Sequence, residues 1–98
     1  MDIRHEKKGV TFVWNDRKAA GNPKKHGGIT FGQATEAFFD PFLKLVDAVR
    51  NDEARDAVIG YDESGHLLFV VHIVLEGEAI RLISARKATT KERNYYDT

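Results

Sequence analysis

Two arginines, Arg81 and Arg86, stand within and at the end of an otherwise apolar run, Ile80–Arg86. A guanidinium stays charged in proteins and meets a phosphate with two parallel hydrogen bonds. Packing alone is a poor reason to build arginine into a strand, so the pair points to binding or chemistry on a polyanion. Residues 81 and 86 face opposite sides of a regular strand unless a bulge or the strand end re-aims Arg86. One arginine can then hold phosphate while the other pairs with an acid such as Asp56 or Glu92. Lys24-Lys25-His26 is a second constellation. Histidine exchanges protons near neutral pH, and adjacent lysines would hold a phosphate beside it. Cations in the last turn of a helix also complement its dipole, which accounts for Lys24 and Lys25 without any function.

His72 sits in the most apolar segment, among Phe69, Val70, Val71, Ile73 and Val74. A packed core role and a proton-transfer role are both open to it, and hairpin register decides its neighbours. With Gly77-Glu78 as a two-residue loop, Val74 opposes Arg81 and His72 shares the face of Arg81. With Glu76-Gly77-Glu78 as the loop, His72 opposes Leu82 and shares a face with Ser84 and Arg86, because a one-residue slip exchanges faces. Tyr95 and Tyr96 offer base stacking, phenol hydrogen bonds or simple packing.

These side chains depend on a small set of elements. Val10–Trp14 reads as a strand, being β-branched and aromatic. Asn15 or Asp16 caps a helix through Ala20, which Gly21 and Pro23 should shorten, kink or divide. Gly27-Gly28 ends it. Thr30 and Gln33 form a capping box, opening a helix that places Phe31, Ala34 and Phe38 on one face before Asp40-Pro41 closes it. Phe42–Val49 reads as a strand bracketed by Pro41 and the polar run 50–56. Ala57–Tyr61 and His66–Leu75 make a hairpin across Asp62-Glu63-Ser64-Gly65. Ala79–Arg86 is the last strand, and Thr89 with Glu92 forms a second capping box before a short helix through Tyr96. The order β-α-α-β-β-β-β-α predicts an α+β domain, one antiparallel sheet with helices packed against it.

A chain of 98 residues with 42% hydrophobic residues and 10 aromatics is one small globular domain. It has no cysteine, which removes disulfides and Cys-ligated zinc or iron–sulfur sites. His5, His26, His66 and His72 lack metal-ligand spacing, so no metal and no cofactor is expected. No Gly-rich phosphate loop and no nucleophile elbow is present. No secretory signal or membrane-length apolar run occurs, which predicts a cytoplasmic protein. The formal net charge of zero hides an asymmetry. Residues 1–28 carry 7 Lys/Arg against 3 Asp/Glu, residues 29–80 carry 3 against 10, and residues 81–98 carry 5 against 2. If the fold joins the two ends, one face is basic and suited to nucleic acid.

With these residues in hand, the chain resembles the BrnT family of type II toxins. The resemblance is carried by Trp14-x-x-x-Lys18-Ala19-x-x-Asn22-x-x-Lys25-His26-Gly27 followed by Phe31, and by Arg55-x-x-x-Ile59-Gly60. It is completed by Ile80-Arg81-x-Ile83-Ser84-Ala85-Arg86-x-Ala88-Thr89-x-x-Glu92-Arg93-x-x-Tyr96. It implies a RelE-like single domain over residues 10–98, while residues 1–9, polar and basic, read as a flexible extension. It also implies a metal-independent ribonuclease that inhibits translation and growth. The implied partners are RNA and a BrnA-like ribbon-helix-helix antitoxin, with operator DNA reached only through the antitoxin. The catalytic set expected for such chemistry is Arg81 and Arg86 for the growing charge, His26 or alternatively His72 for proton transfer, and Lys25 for positioning the backbone. Lys18, Lys24, Arg55, Arg93 and Tyr96 are the expected RNA-binding residues. Pro23, Gly28 and His66 depart from the family pattern. A reading of another class stays open: a non-catalytic RNA- or partner-binding module, or an inactive toxin acting as corepressor. It predicts salt-sensitive RNA binding without cleavage products.

Overall fold

The computed structural model describes residues 1–49 and 51–98; Arg50, which opens the polar run 50–56, lies outside the described residues. Among the described residues six strands form one sheet: β1 Asp2–Lys7, β2 Val10–Asn15, β3 Lys44–Asp47, β4 Asp56–Tyr61, β5 Leu67–Val74 and β6 Ile80–Lys87. With them run the helices α1 Asp16–Lys25, α2 Phe31–Glu36 and α3 Thr90–Tyr96, and a 3-10 turn Ala37–Phe39 extends α2. The α+β class holds. The strand order is β1-β2-β6-β5-β4-β3.

Four differences from the sequence reading are informative. Asp2–Lys7, read as part of a polar extension, is a strand that pairs antiparallel with β2 from Asp2↔Asn15 to Lys7↔Val10. Its polar side chains conceal it, because an edge strand exposed on one face needs few apolar residues. The sheet is mixed rather than antiparallel throughout, since β2 runs parallel to β6 at Phe12↔Ile80 and Val13↔Arg81. That pairing joins the two basic ends of the chain. Third, α1 is not divided: it runs from the Asn15 cap, whose side chain accepts from the Arg17 and Lys18 amides, straight through Pro23. Proline inside a helix costs about 3 kcal/mol. Three hydrogen bonds made by the neighbouring Asn22 side chain offset that cost. Fourth, β6 contains a bulge. His72 opposes Leu82 but Val71 opposes Ser84, leaving Ile83 as the extra residue.

Both capping boxes form as expected, Thr30 with Gln33 and Thr89 with Glu92. The core lies between the inner face of the sheet and α2. Phe12, Trp14, Val58, Leu68, Val70, Leu82 and Ala85 meet Phe31, Ala34 and Ala37 there, all nearly solvent-free. Phe38 stands edge-on to Phe12 at 5.2 Å, and Phe31 to Trp14 at 5.9 Å. Gly60 marks the closest approach of sheet and helix, since a Cβ there would sit 2.5 Å from the Ala37 carbonyl oxygen. α3 lies over the other, outer face, held by Arg86–Glu92 and by Tyr96 edge-on to Tyr61 at 5.4 Å.

Candidate active site

The site is built where α1 replaces a strand beside the second half of β6. Past Val13↔Arg81 no further residue of β2 pairs with β6. The buried side chain of Asn22 takes over: its amide donates to the Ala85 carbonyl at 2.8 Å and to the Ile29 carbonyl at 2.7 Å. Its oxygen accepts from the Ala85 amide at 3.1 Å. One side chain thus satisfies strand, helix and the loop that follows. Gly27 and Gly28, at φ 62° and 89°, reverse the chain right after the helix. L residues adopt such angles at a cost and glycine does not. His26, the C-cap of α1, is held by its own amide donating to the Asn22 carbonyl at 2.9 Å.

The bulge then decides which way the arginines point. Leu82 and Ala85 both enter the core, three residues apart, so Arg81, Ser84 and Arg86 all lie on the outer face. A regular strand would have sent Arg86 to the face opposite Arg81. Arg86 is gripped on two sides. Its guanidinium lies 4.3 Å from the Phe69 ring centroid and donates from both terminal nitrogens to the Glu92 carboxylate at 2.8 Å. One terminal nitrogen also donates to the Lys87 carbonyl. Of five guanidinium hydrogens, the one on Nε and one on Nη2 remain free among the described residues, and they project along one edge. That free edge is the fork a phosphate needs. Burial works to raise the pKa of Glu92, but hydrogen bonds from Arg86 and Thr89 outweigh it and hold the carboxyl below its ordinary range.

Two depressions meet on this face. One, about 320 Å³, is lined by Arg17, Lys18, Asn22, Lys25, His26 and Ser84. The other, about 450 Å³, is lined by His26, Arg55, Phe69, Ser84 and Arg86, together with Val49, Val71 and Ile83. His26, Ile83 and Ser84 belong to both, so the two are one continuous cleft. No Asp or Glu is among the described residues lining it, although the chain has as many acids as Lys/Arg. Arg55 donates to Glu53 at 3.0 Å, while its buried Nε has no partner among the described residues.

The structure therefore brings together Lys18, Lys25, His26, Arg55 and Arg86 of the residues singled out in the sequence. It sets the others apart. Arg81 shares the outer face but lines neither depression; it makes a two-pronged pair with Asp2 at 2.8 and 3.3 Å, an acid that the sequence did not suggest. That hydrogen bond lowers the pKa of Asp2 and raises that of Arg81. His72 lies on the inner face, 3% exposed, edge-on to Phe38 at 4.9 Å with Nδ1 3.2 Å from the Val70 carbonyl. Burial lowers its pKa from the ordinary histidine value. Lys24 is exposed beyond the cleft. Tyr96 donates to Asp40 at 2.7 Å and Arg93 donates to Tyr61 at 3.2 Å, so both fasten α3 away from the cleft. Ser84, Phe69 and Arg17 were given no role from sequence. Lys18, Asn22 and Lys25, at i, i+4 and i+7, carry the helical signal that could have found the α1 side of the cleft.

Comparison with known proteins bears directly on this cleft. The family described as "Ribonuclease toxin, BrnT, of type II toxin-antitoxin system" matches residues 14–92. The chain belongs to the BrnT family. No curated protein matches it. The matched span runs from Trp14 to Glu92 and so contains every cleft residue of this BrnT member, as well as Glu92, which holds Arg86. The family is one of ribonucleases paired with antitoxins. A cationic cleft with no acid and one histidine among its described lining residues is a surface fit for an RNA backbone. Among the described residues no helix is long and apolar enough to cross a membrane, and no group of three or more His, Asp or Glu is placed to hold a metal ion.

Proposed function

We propose that this BrnT member cuts RNA by transferring the scissile phosphate to the neighbouring 2′-hydroxyl without a metal ion. The carrying observation is the position of His26 in the lining of both cation-lined depressions, one of which it shares with Arg86. The RNA backbone follows the cleft, with Lys18 and Lys25 on one side and Arg55 on the other. The free edge of Arg86 binds the non-bridging oxygens and stabilises the charge that grows on them as the 2′-oxygen attacks, where electrostatic catalysis is greatest. His26 takes the 2′-hydroxyl proton. The phosphorus–5′-oxygen bond breaks, the departing 5′-oxygen takes a proton from solvent, and a 2′,3′-cyclic phosphate and a 5′-hydroxyl remain. Mg²⁺ is held by oxygen ligands, usually with one or two carboxylates, and this lining offers cations instead. Arg81, paired with Asp2 outside the cleft, supports β6 and meets the backbone only at its periphery.

In the cell the expected consequence is arrest of translation and growth in the cytoplasm. Release depends on a BrnA-like ribbon-helix-helix antitoxin that covers the basic face and brings the pair to operator DNA. The test is incubation of the antitoxin-free protein with RNA in excess EDTA, reading the new ends. Cyclic phosphate ends that disappear in His26→Ala and Arg86→Ala are expected. RNA that is bound yet stays intact would overturn the proposal in favour of a binding module or corepressor.

A further inference from the structure

A different kind of depression opens on the same face, between α3 and strands β3 to β5. It has a volume of about 320 Å³ and is lined by Val46, Ile59, Phe69 and Tyr95, with Lys91 and Glu92 on the α3 side. Its walls are apolar and aromatic where the neighbouring cleft is cationic. Phe69 belongs to both. The Arg86 guanidinium rests 4.3 Å from that ring, and Glu92, which fixes Arg86, lines the apolar depression. The cationic cleft and the apolar depression therefore adjoin at Phe69, beside Arg86. Tyr95 offers a ring that is 48% exposed, with the Lys44 ammonium 5.5 Å from its centroid.

We propose that this pocket receives the unpaired base next to the phosphate held by Arg86, stacked against Tyr95 over a floor of Ile59 and Phe69. The inference rests on the cleavage reading and adds to it a substrate class: single-stranded RNA with a base free to leave its stack. Any nucleobase presents a π-face to such a ring, so stacking tolerates sequence, and a duplex does not fit because its bases are already stacked and paired. Occupation by the base orients the sugar and so its 2′-hydroxyl toward His26.

The experiment uses one cleavable single-stranded oligonucleotide and two versions lacking the base on either side of the cut bond. It compares the protein with Tyr95→Ala and Tyr95→Phe. Stacking losses translate to about tenfold. One abasic substrate should therefore lose about tenfold in kcat/KM, Tyr95→Ala should lose the same on the intact substrate, and the two losses should not multiply. Tyr95→Phe, which keeps the ring, should restore the rate. In parallel, an uncleavable 2′-deoxy analogue carrying 2-aminopurine at that position should be quenched by the protein and not by Tyr95→Ala. Quenching without any cleavage by the protein would overturn the ribonuclease reading and leave the base pocket standing. Equal quenching and equal rates in Tyr95→Ala would overturn the pocket. So would a Tyr95→Ala protein whose only defect is escape from its antitoxin, since the pocket would then serve a protein side chain.

Discussion

The side-chain amide of Asn22 pairs with both backbone polar groups of Ala85, at 2.8 and 3.1 Å, as a neighbouring strand would. It does so two residues past the bulge at Ile83 that turns Arg86 outward, so one asparagine fastens His26 at the end of α1 and Arg86 at the end of β6. Asn22→Ala should leave the Ala85 amide and two carbonyls with no protein partner. Buried groups so orphaned cost about 1–3 kcal/mol each, and water entering the space recovers part of this, so a total loss of about 3 kcal/mol is expected. Urea unfolding measures it. An unchanged midpoint would show that Ala85 finds its partners elsewhere.

The two arginines of β6 should not behave alike. Arg86→Ala removes the phosphate fork inside the cleft and should lower kcat by about 10²–10³-fold, the usual effect of deleting one donor to a developing charge. Arg86→Lys should recover little, because an ammonium cannot both hold Glu92 from two nitrogens and offer a fork to phosphate. Arg81→Ala should cost far less, since Arg81 is turned to Asp2. Single-turnover cleavage by the three variants decides the order, and an equal loss in Arg81→Ala would return Arg81 to the reacting centre.

His72 predicts a pH dependence of stability. Burial lowers its pKa from the ordinary 6.5, so below that value the unfolded chain binds a proton that the folded chain resists. Stability from this group is complete above pH 6.5 and declines as the pH falls through the folded pKa. In His72→Leu the decline just below neutrality should vanish. Asp40, Asp62 and Glu92 add a second, more acidic limb. Burial acts to raise each of them and hydrogen bonds lower them on balance, so their contribution is lost as the pH drops below the ordinary carboxylate range. Melts between pH 3 and 8 separate the limbs, about three pH units being enough to resolve histidine from carboxylate titration.

Tyr96 should prove a structural residue. Its hydroxyl donates to Asp40, which also accepts from the Tyr61 amide, and burial together with Asp40 pushes its pKa up to about 12. Tyr96→Phe should lower stability by about 1 kcal/mol, the net value of one hydrogen bond, and leave cleavage unchanged. A large fall in RNA cleavage at unaltered stability would place Tyr96 on the substrate path instead.

Local signals had local answers. Asn15, Thr30 and Thr89 cap helices because a side-chain oxygen two or three residues before an amide needs no tertiary partner. The hairpin Asp62–Gly65 and the strands around it follow from turn residues and alternation, and the His72↔Leu82 pairing is one of the two registers the loop allowed. The strand at Asp2–Lys7 was hidden because its polarity reports only which faces meet water, and its partner β2 lies across a tight turn at Lys8-Gly9.

What the sequence determined by itself was the supply of chemistry: cations at both ends, histidines able to exchange protons, arginines in a strand, and a motif spacing that the family match over residues 14–92 bears out. Which of these side chains meet was decided by the tertiary structure. A pattern with period two carries no information about a single inserted residue, so nothing before folding said that Ile83 would bulge and bring Arg81 and Arg86 to one face. Nor could it show that β2 would run parallel to β6 and carry α1 to its side, with His26 and Arg86 lining one depression and His72 on the opposite face. Those outcomes depend on non-local pairings, above all on Asn22 with Ala85, sixty-three residues apart in the chain.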